Sequence, residues 1–274
     1  MNAVITITSD FGADDGYVAA MKGVILSTNP AAQLVDITHR IAPQNVFQAA
    51  FVVGTAYAFF PAATVHLAVV DPGVGTDRRV IILRTPDGTF IGPDNGIFSY
   101  ALRNYTIGKA DGSLQQVRLA SEARAVSVTN SRFFRRPLSD TFHGRDIMAP
   151  VAALLSQGFQ INAFGEAVDR LYMLPLPEPE ENPDGSITGH VLHIDAFGNI
   201  ITDVGAAQLP AGREIRIELK SHLVSGLQRS YAEGSGLLAV IGSSGYLEIA
   251  VKSGSAVALT EARIGDNMTI RAGA

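Results

Sequence analysis

Apolar and β-branched residues dominate Ala3–Thr8, and the run ends in Ser9-Asp10-Phe11-Gly12. This is the pattern of a buried strand that stops at a polar loop. The period then changes. Tyr17, Met21, Val24, Ile25 and Thr28 recur at helical spacing, with Asp14 and Asp15 just ahead of them and Asn29-Pro30 as a stop; helix starts favour carboxylates and proline cannot continue a helix. The same reasoning predicts a strand over Gln33–Thr38, a helix over Asn45–Phe60 closed by Pro61, and a strand over Val65–Val70. Strands alternating with helices at this spacing imply right-handed crossovers and a mainly parallel sheet. Ligands of such sheets bind beyond the carboxyl ends of the strands. Ser9-Asp10 and Asp71-Pro72-Gly73 stand at that position.

Val80–Arg84 and Thr89–Ile91 flank Pro86-Asp87-Gly88, which predicts a hairpin, and Gly92-Pro93-Asp94-Asn95-Gly96 follows as a dense turn signal. A further helix is predicted over Asp146–Leu155. The segment LPLPEPEENPDG, Leu174–Gly185, reads as an extended linker. Beyond it the texture is short β-type runs between glycine turns: Ile187–Ile194, Glu214–Leu219, Leu237–Ile241, Tyr246–Val251 and Met268–Arg271. Such runs predict a small antiparallel barrel. The expected organisation is an α/β N-terminal domain with a mainly parallel sheet (residues 1–173), a linker (174–188) and a smaller all-β barrel domain (189–274).

Composition narrows the function classes. The 274 residues are 47% apolar and only 17% charged, and a net charge of −5 with no basic run gives nucleic-acid binding little support. The absence of cysteine removes disulfides, thiolate catalysis and Cys-type metal sites. No basic-plus-apolar leader and no run of about 18 apolar residues occurs, so neither a signal peptide nor a membrane-spanning helix is expected, and a cytoplasmic enzyme fits.

Five segments could carry chemistry. Asp10, Asp14 and Asp15 surround one strand-to-helix loop, where a carboxylate can accept from a ribose diol; Asp10 is read as a ligand, and Asp15 equally as a ligand or a helix-start residue. Asp71-Pro-Gly-Val-Gly-Thr-Asp-Arg78-Arg79 permits close backbone approach through its glycines, although alone it reads as a turn with a surface ion pair. Thr141-Phe142-His143-Gly144-Arg145-Asp146 opens a helix, and His143 is the best general-base candidate among six histidines. His39, His66, His190, His193 and His222 are read as structural hydrogen-bonders. His190 and His193, three apart on a strand, face opposite sides, so no metal site is expected. In the second domain Asn199 can read a carboxylate or amide and Phe197 can stack on a base, or Asp195 and Asn199 merely form a turn. Ser243, Ser244 and Tyr246 offer hydroxyls and amides to an adenine edge, or a plain hairpin turn.

The order of these motifs is more specific than any one of them. TSDFG…DD, VVDPGVGTDRR, GPDNG, TFHGRD, IDAFGNIITD and SSGYLEIA together resemble the S-adenosylmethionine hydroxide adenosyltransferases, relatives of the bacterial fluorinase and chlorinase. The resemblance covers nearly the whole chain. It implies hydrolysis of S-adenosylmethionine to adenosine and methionine with no further cofactor, on an α/β domain joined to a β-barrel. It also implies a homotrimer that holds the ligand between one subunit's N-domain and the next subunit's C-domain. Carried over, Asp10 binds the ribose hydroxyls with Asp15 nearby. Thr141, Phe142 and Gly144 flank the sulfonium and the nucleophile. Asp195 and Asn199 hold the methionine part, Ser243, Ser244 and Tyr246 lie on the adenine side, and Asp71, Arg78 and His143 position the attacking water. The halogenases carry a long insertion where Arg84–Gly92 is a tight hairpin, and tyrosines where this chain has Asp71 and His143. Both departures favour water, since a carboxylate at position 71 repels halide. A halide-dependent adenosyltransferase and a non-catalytic nucleoside binder are the rival readings.

Overall fold

The computed structural model describes residues 4–210, 214–234 and 236–273; Ala3, at the predicted start of the first strand, lies outside them. The chain divides into two compact units, Met1–Leu176 and Pro177–Ala274, with the division inside the segment expected to be a linker.

The first unit runs β1 (Val4–Ser9), α1 (Tyr17–Thr28), β2 (Gln33–Thr38), α2 (Val46–Ala56), β3 (Val65–Val69), β4 (Val80–Thr85), β5 (Gly88–Pro93), α3 (Ser99–Leu102), β6 (Thr106–Ile107), β7 (Gln115–Leu119), β8 (Arg124–Val128), α4 (Ala149–Ser156), β9 (Gly165–Val168) and β10 (Arg170–Met173). Seven strands form one sheet in the order β2-β1-β3-β5-β4-β8-β9, and β10-β7-β6 form a second, small one. The large sheet is mixed, which corrects the expectation of a mainly parallel one. β2, β1, β3 and β5 are parallel neighbours, whereas β4, β8 and β9 join antiparallel. The cause is the connection: Thr85 pairs with Gly88, leaving a two-residue loop that can only reverse the chain.

Side chains alternate across this sheet into two cores. Leu67, Ile82 and Val126 pack with α1 and α4, while Ala68, Ile81, Leu83 and Phe90 pack with α2, α3 and the small sheet. His66 is the polar exception inside β3. Its Nδ1 lies 2.8 Å from Thr6 Oγ1 on the neighbouring strand and its ring stacks on Phe90 at 4.9 Å. Burial pulls its pKa down from 6.5 to about 4. Between those values the unfolded chain binds more protons than the fold. The stabilisation is therefore complete above pH 6.5 and is lost as pH falls toward 4. The difference corresponds to roughly 3 kcal/mol. Thermal unfolding should show this acid loss, and His66→Phe should make its pH dependence shallower; an unchanged slope would remove His66 from the account.

The second unit comprises β11 (Glu180–Glu181), β12 (Ile187–Ile194), β13 (Ile200–Gly205), β14 (Ile215–Leu219), β15 (His222–Ser225), β16 (Leu227–Gln228), β17 (Leu237–Ile241), β18 (Tyr246–Val251), α5 (Ala256–Thr260) and β19 (Asn267–Ala272). The strand order is β15-β14-β19-β12-β13-β18-β17-β16, with β11 on β12, and β15 comes back against β17, so the sheet is nearly closed and barrel-like. Its inner face is a single aliphatic core that includes Val191, Ile200, Ile217, Leu247 and Ile270.

Candidate active site

β1 and β3 are parallel neighbours with Ser9 opposite Val69, so Asp10 and Asp71 both follow the carboxyl ends of adjacent strands. Asp10 Oδ2 accepts the Gln44 amide at 2.8 Å, and Ser9 Oγ lies 2.8 Å from His39 Nδ1. Arg78 grips Asp71: its Nε donates to Oδ1 at 2.9 Å and to Oδ2 at 3.0 Å, and Nη2 donates to Oδ2 as well. The same Nη2 lies 2.9 Å from His143 Nδ1. The Asp71 and Arg78 side chains are only 7% and 13% exposed, so this ion pair is little screened by solvent.

The hydrogen bond to His143 fixes its tautomer. Guanidinium only donates, so Nδ1 must accept and the neutral ring carries its proton on Nε2. Burial, and then the charge of Arg78, push the His143 pKa below 6.5 and favour that neutral form. His143 therefore presents an N–H donor on its far side.

The loops that carry these residues are braced from several sides. Asn95 Nδ2 donates to the Val70 carbonyl at 2.9 Å, directly before Asp71, and Arg79 forms an ion pair with buried Asp94. The GPDNG turn thus anchors both ends of the segment from Asp71 to Arg79. Gly75, at φ 78°, leaves no room for a Cβ, which would stand 2.6 Å from the Asp140 carbonyl oxygen. Residues 144–148 form a π-helical turn rather than the expected helix start at Asp146, and α4 begins at Ala149. Such turns often occur at functional sites. Here a Cβ on Gly144 would come within 2.9 Å of Val69 Cγ1, so glycine lets the turn settle on the end of β3. Fully buried Asp146 closes the loop by accepting from the Ser139 amide at 2.9 Å and from Arg145 Nε at 2.7 Å.

Phe142 packs edge-on against Phe11 at 5.5 Å and Tyr17 at 5.4 Å, beneath the Arg145 guanidinium. Thr141 is exposed, with Oγ1 3.3 Å from Ser139 Oγ. Asp15 is also exposed; α1 starts after Gly16 with no side-chain cap, so no capping bond occupies Asp15. Sequence reasoning passed over Phe11, Tyr17, Asn95 and Asp146. Three of the four lie inside TSDFG, GPDNG and TFHGRD, which is the signal the sequence offers.

In the second unit Asp195 folds the loop between β12 and β13. Its Oδ1 accepts the Phe197 and Asn199 amides at 2.9 and 2.8 Å, and Oδ2 accepts Asn199 Nδ2 at 2.9 Å. Phe197 is left 79% exposed, free to stack on a planar group. This loop lies against the segment after β18, where the Val257 amide bonds the Gly198 carbonyl. Gly242-Ser243-Ser244-Gly245 is the hairpin turn before β18, closed by a 2.9 Å bond from the Gly242 amide to the Tyr246 carbonyl. The two clusters therefore flank opposite ends of β18. Between them Glu248, buried and raised in pKa chiefly by that burial, accepts from Tyr231 Oη at 2.7 Å. His190 is held structurally, with Nδ1 2.6 Å from buried Asp203.

Residues 5–165 match the SAM hydroxide adenosyltransferase N-terminal domain, and residues 189–269 match the C-terminal domain of the same name. The chain belongs to the SAM hydroxide adenosyltransferase family. Among relatives in this family, it is 38% identical over 271 residues to the (R)-S-adenosyl-L-methionine hydrolase of Salinispora tropica, covering 98% of both chains. Similarity to the fluorinase of an Actinoplanes species is lower, 29% over 76% of this chain and 74% of that one. A crystal structure of a conserved, uncharacterized Thermotoga maritima protein superposes with a TM-score of 0.86 at 31% identity, covering 97% of this chain and 99% of that one.

Proposed function

We propose that the protein hydrolyses S-adenosyl-L-methionine to adenosine and L-methionine. The carrying observation is the Asp71–Arg78–His143 set at the carboxyl end of β3. A water oxygen bonds to C5′, the C5′–S bond breaks, its electron pair returns to sulfur as a neutral thioether, and one proton is released. The sulfonium needs no acid to leave, so the enzyme's task is the nucleophile, because bulk water is a very weak acid. His143 Nε2–H and Arg78 orient the water oxygen by donation. Asp71 takes the proton, because guanidinium stays charged and the Nδ1 lone pair of His143 is already engaged. Acid–base help of this kind contributes roughly 10²- to 10⁴-fold.

Asp10 and Asp15 take the ribose hydroxyls, and Thr141, Phe142 and Gly144 line the sulfonium side. Asp195, Phe197 and Asn199 with Ser243, Ser244 and Tyr246 hold the methionine and adenine parts. The assembly in this reading is a homotrimer with sites shared between subunits, in the cytoplasm. No helix among the described residues is long and apolar enough to cross a membrane. The relatives' name carries the (R) sulfonium configuration, and the same preference is proposed here.

The lowered His143 pKa sets a pH dependence. Protonating Nδ1 would turn it into a donor facing Arg78, so kcat should fall on the acid side with a midpoint below pH 6.5. A kcat already half lost at pH 7 would contradict this tautomer. The function itself is tested by separate incubation of the (R) and (S) sulfonium epimers in halide-free buffer. Equimolar adenosine and methionine, faster from the (R) epimer, is the expected result. Product only after adding chloride would make the protein a halogenase, and binding without turnover a sensor.

A further inference from the structure

At the end of the large sheet away from Asp71 lies a cleft of about 400 Å³, within the range of small-molecule sites. Register places it there. Arg84 pairs with Thr89, which pairs with Val65 at the start of β3, whereas Asp71 follows the end of that strand. The cleft is lined by Arg84, Arg118 and Arg124, with Asp169 as its one carboxylate. Three positive charges against one negative leave a local balance of +2 on a chain whose net charge is −5.

The arrangement gathers like charge around one half-buried and two exposed arginines. Arg84 and Arg124 stand directly opposite each other on antiparallel β4 and β8, and Arg118 stands opposite Arg170 on β7 and β10. Like charges facing across strands destabilise a sheet. Arg84 is half-buried and bonds only Thr89 Oγ1, at 3.2 Å; among the described residues none of the three lining arginines forms an ion pair. Gln160 and Asn162 add neutral polar groups at the rim, and Ala125, Val126 and Ile161 give an apolar wall.

We propose that this cleft binds a phosphomonoester-class anion, free or carried on a small molecule. A phosphomonoester carries about −1.5 to −2 charges at neutral pH, which matches the local balance, and guanidinium forks suit its oxygens. The apolar wall takes the organic portion where there is one. The site is separate from the catalytic set and does not rest on the proposed hydrolysis.

Isothermal titration calorimetry of the full chain at fixed ionic strength, with inorganic phosphate and with phenyl phosphate, tests it. Saturable one-site binding is expected, tighter for phenyl phosphate if the natural ligand is organic and equal if it is the free ion. Arg118→Gln combined with Arg124→Gln should weaken binding at least tenfold and leave turnover of S-adenosylmethionine unchanged. Asp169→Asn, which removes the opposing charge from an exposed position, should tighten binding about two- to fivefold, the range of one surface charge interaction. No saturable binding, or equal affinity in the double arginine variant, overturns the proposal. Should the arginine variant not fold, Asp169→Asn decides alone: unchanged or weaker affinity overturns it as well.

Discussion

Asp71→Asn should lower kcat by roughly 10²- to 10⁴-fold, the usual contribution of a positioned proton acceptor, and change substrate affinity little. The substitution is nearly isosteric, although its amide nitrogen can no longer accept from Arg78. What is lost is the group able to take the water proton. Arg78 cannot replace it, and His143 already receives the Arg78 N–H at Nδ1, 2.9 Å away. The substitution also leaves Arg78 facing a neutral amide at a place where both side chains are largely buried. Removing one partner of a buried pair is costly, so thermal unfolding must accompany the kinetics. A folded variant with near-normal turnover would take Asp71 out of the proton pathway.

Gly75→Ala should lower kcat about a hundredfold without touching any group that reacts. A Cβ there would stand 2.6 Å from the Asp140 carbonyl oxygen, three residues before His143, so the two loops must part. Displacement of catalytic groups by about 1 Å can cost two orders of magnitude in rate. The positive φ of 78° adds backbone strain of about 1–3 kcal/mol. Gly108→Ala separates the two effects. Gly108 has φ 92° but open space around its Cβ position, so it should lose stability alone. Equal turnover in the two variants would show that loop contact does not matter.

Much of this architecture is legible in the chain. β2, β12, β17 and β18 have the predicted limits, because alternation and β-branched residues fix strands locally. The order of β4 and β5 in the sheet is a long-range choice, and periodicity carries no information on it. The hairpin is therefore legible in the chain while the mixed sheet is not. β6, β7 and β9 leave little trace, since largely exposed runs such as Gln115–Leu119 show little apolar pattern. At the site, Asp71, Arg78 and His143 were legible as motif members. Their mutual geometry was not, and it matters most: the bond between Arg78 and Nδ1 makes His143 a donor where its residue type alone suggested a base. The bracing roles of Asn95 and Asp146 are likewise tertiary facts.

Attack of water on C5′ is tested most directly by turnover of S-adenosylmethionine in ¹⁸O-enriched, halide-free water read by mass spectrometry. One heavy oxygen in adenosine, at the 5′ position, with unlabelled methionine released in equal amount, is the predicted result. Unlabelled adenosine, or no product until halide is added, would contradict it.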